Sequence, residues 1–203
     1  MLTKPIAFSV ALSALLASGV ARADGVTYVP VTSVYQDSKE APLKGPEGVA
    51  CADSGAIAIA DTGNGRLLMF TFKDGTLSGG TEVKVAEAPY PVRLQFDSKG
   101  NVLVLDRKTH HILRLDGKGA LLGPVEVKHG VGKEIIPAAF KLDSADNLYV
   151  LDAASGAVVA QDANGSELRR LDAPKGAIFT DIAVDNAGTV YAADEMEGLA
   201  TLF

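Results

Sequence analysis

Short stretches of alternating apolar and polar residues recur along residues 46–203, and small turn residues separate them. In one example, "RLQFD" is followed by a Ser-Lys-Gly turn and then by "NVLVLD", which is rich in β-forming residues. Alternation with a period of two predicts a β-strand, and glycine supplies the positive φ of a tight turn at low cost. Third strands such as "HILRLD" and weaker fourth strands such as "TEVKVAEA" follow. The pattern therefore predicts an all-β chain of antiparallel strands joined by short turns.

The same pattern occurs four times. Four segments align without a gap: "GVACADSGAIAIADTGNGRLLMF" from Gly48, "RLQFDSKGNVLVLDRKTHHILRL" from Arg93, "AFKLDSADNLYVLDAASGAVVAQ" from Ala139 and "DIAVDNAGTVYAADEMEGLATLF" from Asp181. The second strand of each unit ends in an aspartate: Asp61, Asp106, Asp152 and Asp194. These aspartates are 45, 46 and 42 positions apart. Units of about 40–50 residues with four strands each are typical of β-propeller blades, so the repeat predicts a β-propeller with four visible blades.

The four strand-ending aspartates are interpreted as structural residues. A carboxylate in this place accepts hydrogen bonds from backbone N–H groups of the turn that follows, as in Asx turns. Six positions before each aspartate lies a residue that closes a tight turn: Gly55, Gly100, Asp146 and Gly188. Recurrence in every unit argues against catalysis, because a catalytic signature is expected once.

The first unit resembles a known repeat. The stretch "PEGVACADSGAIAIADTGNGRLLMF" from Pro46 is similar to the NHL repeat, Pro-x-Gly-[Val/Ile]-Ala-Val-Asp, a glycine turn, Tyr-Val-Ala-Asp, Thr/Ser-x-Asn-x-Arg and an apolar strand. The second and third units depart from this form in the turn, with "RKTHH" and "AASGA". The resemblance covers residues 46–203 and implies an NHL-type β-propeller. Such propellers bind proteins or nucleic acids and in some relatives act as enzymes, so the resemblance leaves the function open.

Two architectures are compatible with four units. Propellers that resemble this one usually have six blades, so the chain is either a partial six-blade arc or a small four-blade ring. Residues 25–37, "GVTYVPVTSVYQD", alternate like a strand and would close a ring as the outer strand of the last blade. The arc is preferred. Successive blades of a six-blade propeller are rotated by about 60° relative to each other, and blades built for that angle do not readily adopt the rotation of about 90° that a four-blade ring requires. Residues 24–45 are assigned as an N-terminal strand and linker before the propeller.

The N-terminus has the features of a secretory signal peptide. Lys4 precedes an apolar run from Ile6 to Ala17, and "SGVARA" ends at Ala23. The run is too short to span a bilayer, which takes about 20 apolar residues. We therefore expect residues 1–23 to be removed on export to the periplasm or the medium, with no membrane insertion after cleavage.

The rest of the chain is acidic. It carries 17 Lys and Arg against 25 Asp and Glu, a formal charge of −8, which argues against nucleic acid as a partner. Cys51 is the only cysteine and has no disulfide partner within the chain. Its setting of small apolar residues, "GVACADSG", predicts a buried side chain rather than a nucleophile.

Four residues near the beginnings of the innermost strands are candidates for a ligand site in the central channel: Glu47, Arg93, Thr180 and Asp181. Lactonases that resemble regucalcin carry a Glu-Gly pair in a divalent-metal site of this region, and Glu47-Gly48 lies at the matching place. Ca²⁺ usually takes about 6–8 oxygen ligands, however, and no matching Asn is present. Positive and negative side chains around a channel are also compatible with an ion pair or a small-ligand site. We therefore expect no metal and no other cofactor.

The histidines do not predict a metal site. His110 and His111 are adjacent in a turn, while His129 is the only other histidine. Neighbouring side chains on a strand point to opposite faces, so an exposed pair is expected rather than a zinc site.

The sequence contains neither a G-x-S-x-G elbow nor a G-x-x-x-x-G-K-[ST] phosphate loop, and no catalytic residue is assigned. It favours an exported, non-enzymatic propeller that binds or scaffolds a protein or small-molecule partner. The alternative is a metal-dependent lactonase-like hydrolase of the gluconolactonase or regucalcin type.

The signal-peptide interpretation predicts that the mature protein begins at Asp24 and lies outside the cytoplasm, since cleavage follows the Ala-Arg-Ala sequence. N-terminal sequencing of the protein from the exported fraction checks this. Material that still begins at Met1 would contradict it.

Overall fold

The computed structural model describes residues 29–127, 135–195 and 199–202. The chain divides into two units, Met1–Val31 and Thr32–Phe203, and all strands of the described residues belong to the second unit. These residues form fifteen β-strands and one 3-10 turn at Thr62–Asn64. The prediction of an all-β fold is confirmed.

The strands form four antiparallel sheets, and within each sheet they lie in chain order. Blade 1 contains β1 (Gly48–Cys51), β2 (Ala56–Asp61), β3 (Arg66–Lys73) and β4 (Thr76–Val83). Blade 2 contains β5 (Pro91–Phe96), β6 (Val102–Asp106), β7 (Ile112–Leu115) and β8 (Leu121–Pro124). Blade 3 contains β9 (Pro137–Leu142), β10 (Leu148–Asp152), β11 (Val158–Gln161) and β12 (Glu167–Leu171). Blade 4 contains β13 (Phe179–Val184), β14 (Val190–Asp194) and β15 (Leu199–Leu202).

The blades are arranged side by side around their innermost strands. Strand β1 packs next to β5, β5 next to β9, and β9 next to β13. Each blade therefore contributes its first strand to the centre of the fold, as the repeat predicts.

The core consists of three apolar layers, each between two successive blades. Val102 and Val104 of β6 face blade 1, whereas Leu103 and Leu105 of the same strand face blade 3. All four side chains are buried, because alternate residues of a strand point to opposite faces and both faces of this sheet are covered. This explains why the second strands, "VLVLD" and "LYVLD", are continuously apolar rather than alternating.

Among the described residues, five hairpin turns share one hydrogen-bonding pattern. An aspartate at the start of the turn accepts hydrogen bonds on Oδ1 from the N–H groups two and four residues later: Asp97, Asp116, Asp143, Asp162 and Asp185. The residue in between takes a left-handed conformation, which glycine adopts most readily. The first hairpin of blade 1 has Ala52 in place of the aspartate. The predicted turn-closing residues Gly55, Gly100, Asp146 and Gly188 all have a positive φ, from 61° to 87°.

Asp106, which ends the second strand of blade 2, holds the following turn and one further segment. The Oδ1 atom of Asp106 accepts hydrogen bonds from the N–H groups of Lys108 (2.9 Å) and Thr109 (2.7 Å), and its Oδ2 accepts one from the N–H of Tyr90. The contacts within the turn confirm the predicted Asx-type role for Asp106, and Asp152 makes the same kind of contact. Asp61 differs, because it accepts from the side chain of Asn64 instead of from a backbone N–H of the turn. The bond to Tyr90, sixteen residues earlier, was not predicted from the sequence, and it ties the end of β6 to the segment that leads into β5 of the same blade.

The same long-range bond recurs in the other blades. Asp152 accepts a hydrogen bond from the backbone N–H of Ile136 at 3.0 Å. Asp194 accepts one from the backbone N–H of Ile178 at 3.4 Å. Asp61 accepts from the N–H of Lys44 at 2.7 Å. The four aspartates are all buried, so each one links two distant backbone segments where water does not compete.

Blade 1 adds a buried ion-pair cluster around Arg66. Its Nε donates to Asp61 Oδ2 at 2.7 Å and its Nη1 to Asp37 Oδ2 at 2.6 Å, while Glu82 lies 3.4 Å from Nη1. Arg66 is 5% exposed and Asp61 is fully buried. Burial opposes ionisation of Asp61, but the N–H of Lys44 and the side chains around it outweigh that effect and lower the pKa of this carboxyl group.

Asp37 belongs to a segment, residues 35–44, that we call the N-terminal strap. The strap forms a tight turn with an isolated bridge between Gln36 and Pro42. The N–H of Ser38 donates to the carbonyl oxygen of Gly80 in β4 at 3.0 Å. The strap is thus fastened to blade 1 by this backbone bond and by the Arg66 cluster.

The expected closing strand is not seen in the described part of residues 25–37. Residues 29–37 contain no strand, and Gln36 pairs with Pro42 instead of with blade 4. Residues 25–28 lie outside the described residues. Asp37 is drawn to blade 1 by a buried charged partner, and that ion pair explains the difference from the sequence-based expectation. A partial arc of blades fits the described residues.

The expectation that Cys51 is buried is wrong, because the side chain is exposed. Gly48 and Ala50 of β1 face blade 2, so the alternate residues Val49 and Cys51 point to the other face of the sheet. Val49 on that face is 69% exposed. Among the described residues, no blade packs over this part of β1, and the sequence alone did not reveal that.

We predict that Asp61→Ala destabilises the protein by about 3 kcal/mol, because it removes one partner of a buried charge and leaves the N–H of Lys44 without its acceptor. Chemical denaturation measures the loss in the free energy of unfolding. Asp53→Ala, at an exposed position of the same blade, is the control and should change stability little. Equal stability of the two variants would contradict the structural role of Asp61.

We also predict that acid lowers stability below about pH 4. Hydrogen bonds lower the pKa values of several aspartates, led by the N–H of Ala120 for Asp116 and the N–H of Thr189 for Asp185. Between the lowered folded values and the unfolded value of about 3.9, the unfolded chain binds more protons, so stability rises with pH. The contribution is complete above that range and is lost as pH falls through it. Melting temperatures at pH 7, 5, 4 and 3 test this, and a constant value from pH 5 to pH 3 would contradict it.

Candidate functional site

The candidate residues lie where the innermost strands begin, and the backbone is irregular there, as it also is between the outer strands of blades 1 to 3. Strand β5 has a register shift between Pro91 and Arg93, and β13 has one between Phe179 and Asp181. The extra residue is Val92 in the first case and Thr180 in the second. Such bulges bend a strand and change the direction of its side chains, and they are common next to functional sites. These bulges were not predicted from the sequence.

The structure brings three of the four predicted residues into contact. Arg93 Nη1 lies 2.8 Å from Asp181 Oδ2, and Arg93 Nη2 donates to the carbonyl oxygen of Thr180 at 3.4 Å. These bonds join blade 2 to blade 4. The pair is about one-third exposed, so it contributes little to stability but fixes the direction of the Arg93 side chain.

Glu47 takes a different partner. Its carboxylate receives two hydrogen bonds from the guanidinium of Arg107, one of them 3.1 Å from Nη1 to Oε1. The Arg107 guanidinium also lies 5.6 Å from the centre of the Tyr90 ring, a cation–π distance. The backbone N–H of Arg107 donates to the carbonyl oxygen of Tyr90 at 3.0 Å. Arg107 is therefore held in place from two sides.

Arg107 was not selected from the sequence, although a positional signal was available. It directly follows the strand-ending Asp106, as Thr62 follows Asp61 and Ala153 follows Asp152. Thr62 donates to the carbonyl oxygen of Pro91 at 2.7 Å, which places this position of blade 1 against the beginning of β5. In the alignment of the four units this position follows the strand-ending aspartate directly, which is a signal that was not used in predicting the site.

Glu47, Arg93 and Arg107 share one cavity of about 340 Å³. Its polar wall consists of these three side chains and His110. Its apolar wall consists of Val92, Leu105, Pro137, Ala138 and Ala153. The volume lies in the range typical of small-molecule sites, about 300–1,000 Å³. The cavity therefore combines an apolar base with charged groups of both signs.

His110 reaches the cavity from the turn between β6 and β7. The backbone N–H of His110 donates to the backbone carbonyl oxygen of Asp106 at 3.0 Å, and the φ of His110 is 56°. Both His110 and His111 are exposed, which confirms the expected exposed pair. His129 lies outside the described residues.

Two further findings apply to the residues that the structure describes. Within residues 29–127, 135–195 and 199–202, no group of three or more His, Cys, Asp or Glu side chains is placed to hold a metal ion. No helix in the same ranges is long and apolar enough to cross a membrane.

Comparison with solved structures defines the class of fold, a β-propeller. The chain is similar to virginiamycin B lyase from Staphylococcus aureus, with a TM-score of 0.58, 16% identity and coverage of 78% of this chain and 55% of that one. It is similar to a chain of a nidogen/laminin complex, with a TM-score of 0.61, 14% identity and coverage of 81% and 62%. A β-propeller domain from Myceliophteria thermophila gives a TM-score of 0.59, 11% identity and coverage of 75% and 50%.

The chain spans between half and two-thirds of the length of these three structures. No protein family profile matches the sequence, and no curated protein matches it. At these identities the similarity shows the fold alone. The NHL type of the blades accordingly remains a prediction from the sequence.

Proposed function

We propose that this protein is an exported, non-enzymatic β-propeller that binds a partner, a protein or a small ligand, through the central cavity. The observation that carries the proposal is the meeting of Glu47, Arg93 and Arg107 around one cavity with an apolar base. Concave sites of this size with a few oriented polar groups are typical of ligand binding. The proposed location rests on the signal-peptide features of residues 1–23.

The arrangement of the charged side chains supports recognition. Arg93 is oriented by Asp181, and Arg107 by Glu47 and Tyr90. Each guanidinium has five N–H donors, and its protein partners use two of them, so donors remain for a ligand. Donors that are held in place before binding cost less conformational entropy when a ligand is bound.

The lactonase-like alternative receives less support from the same residues. It would use Glu47 and Asp181 as metal ligands, but an arginine side chain pairs with each of these carboxylates. An adjacent positive charge disfavours a divalent cation at the same oxygen atoms. A binding role makes use of both arginines, whereas the metal-dependent role would have to displace them.

The test is a thermal-shift screen of small molecules on the mature protein, followed by calorimetry of every compound that stabilises it. We expect the double variant Arg93→Ala/Arg107→Ala to bind such a compound at least tenfold more weakly than the unchanged protein, while Lys118→Ala, at an exposed turn outside the cavity, binds it equally well. Equal binding by the double variant would contradict the site. Stabilisation by Ca²⁺ together with lactone hydrolysis would support the hydrolase instead.

A further inference from the structure

The two faces of a blade are built from different residues. We call the face toward the preceding blade the leading face and the face toward the next blade the trailing face. The leading face of blade 2 packs against blade 1 and consists of large apolar residues: Leu94, Phe96, Val102, Val104, Leu113 and Leu115. The trailing face of blade 1, which receives it, consists mostly of alanines, next to Leu67 and Met69: Ala50, Ala52, Ala56, Ala58 and Ala60. Large side chains thus pack on a surface of small ones.

The leading face of blade 1 has the same apolar character, but among the described residues no blade packs on its inner part. Val49 and Ile59 occupy the places of Leu94 and Val104 in the aligned units. Val49 is 69% exposed and Ile59 is only partly buried, whereas Leu94 and Val104 are both buried. Apolar side chains at positions that are packed in blade 2 are therefore accessible in blade 1.

The N-terminal strap covers only the outer part of this leading face. Leu68 and Phe70 of β3 alternate with the trailing-face residues of the same strand, so they belong to the leading face, and both are buried. The backbone of Ser38 in the strap and the ring of Phe70 both lie against Gly80. The strap thus protects β3, and a partner needs to cover only β1 and β2.

The trailing face of blade 4 also has no blade against it among the described residues. Alternate residues of its strands pack on blade 3, so Ala183 and Ala193 point the other way. In the aligned units they occupy the places of Ala50 and Ala60 of blade 1, and both are exposed. Leu202 belongs to the same face and is 61% exposed. Blade 4 therefore presents a surface of the kind that receives a leading face in blade 1.

The two open faces complement each other in size. Blade 4 carries Tyr191 where blade 1 carries Ala58, which makes its trailing face larger. Blade 1 carries Cys51 where blade 2 carries Phe96, which makes its leading face smaller. These two changes in volume are opposite, so the leading face of blade 1 suits blade 4 much as that of blade 2 suits blade 1.

The rims of the two open faces are complementary in charge. The hydroxyl of Thr62 donates to the carbonyl oxygen of Pro91, so the turn after β2 lies against the segment that leads into blade 2. In the aligned units Glu195 of blade 4 takes the place of Thr62. Pro46 takes the place of Pro91, and Lys44 lies two residues before it. Glu195 and Lys44 are both exposed, and packing of blade 1 on blade 4 of another copy brings their opposite charges close together.

We propose that a second copy of this chain covers both faces, with the leading face of blade 1 of each copy packed on the trailing face of blade 4 of the other. A contact between two different surfaces closes into a ring when the rotation allows it. Two copies with four blades each give eight blades, at the upper end of the usual range of about 4–8. Eight blades require about 45° per blade, which is nearer to about 60° than the 90° of a four-blade ring. This dimer goes beyond the proposed function and does not depend on it.

The experiment measures the mass of the mature protein in solution by size-exclusion chromatography with light scattering at several protein concentrations. Val49→Asp and Ala183→Asp each place a charge in the proposed contact, one from either side. Leu122→Asp is the matched control, because Leu122 is also an exposed apolar residue but lies in the outer strand of blade 2. Circular dichroism checks that each variant keeps its strands, which is expected because Val49 and Ala183 are exposed in the single chain.

We expect twice the mass of one chain for the unchanged protein and for Leu122→Asp. Val49→Asp and Ala183→Asp should each weaken the association at least tenfold, because an unpaired charge is costly to bury. A mixture of these two variants should associate again, since one of its two contacts joins an unchanged Val49 to an unchanged Ala183. A tagged copy of one variant should then retain the other on an affinity column.

The mass of a single chain at every concentration would overturn the proposal, and so would a doubled mass that Val49→Asp does not reduce. Dissociation by only one of the two variants would indicate a face that packs on its own counterpart, which also overturns it. If Val49→Asp loses its strand content, Ala183→Asp decides the question in the same way. Two folded variants that do not associate on mixing would likewise contradict the pairing of blade 1 with blade 4.

Discussion

The fold depends on a buried carboxylate that ends the second strand of each blade and accepts a backbone N–H from about sixteen residues earlier. Asp106 and Asp152 also hold the turn that follows them. Because the earlier segment leads into the innermost strand, the carboxylate fixes where that strand begins. It thereby sets the side chains that face the centre of the propeller. One short-range motif and one longer-range bond together define both the frame of a blade and the position of the end that carries the candidate site.

Most of the fold could be predicted because the determining chemistry is local. Turn glycines, Asx-type aspartates and apolar second strands act within a few residues, and they recur from one unit to the next. The boundaries of the outer strands were harder to predict from the sequence. Strand β4 begins at Thr76, earlier than the stretch "TEVKVAEA" indicates, and it contains Gly79 and Gly80 next to a register shift. Glycines interrupt alternation, so the strand is not visible as a pattern.

The features that the sequence did not reveal depend on side chains that reach across blades. The exposure of Cys51 depends on what packs against blade 1, and no residue near it carries that information. The position of the N-terminal strap depends on the pair between Asp37 and Arg66, which are 29 residues apart. Of the candidate ring, Arg93, Thr180 and Asp181 contact one another, whereas the partner of Glu47 comes from a turn sixty residues later.

Repetition also explains how a polar site arises on a regular scaffold. The turn of blade 3 carries Ala153 and Gly156 at the two positions where blade 2 carries Arg107 and His110. These two turns share their frame, because Asp106 and Asp152 both accept the N–H two residues later, so these two positions can change without loss of the hairpin. Small residues in blade 3 leave space, and long polar side chains in blade 2 extend into it. The polar side chains of the proposed site are therefore added at positions that the structural aspartates leave free, and the rigidity of the turn gives those side chains a fixed geometry.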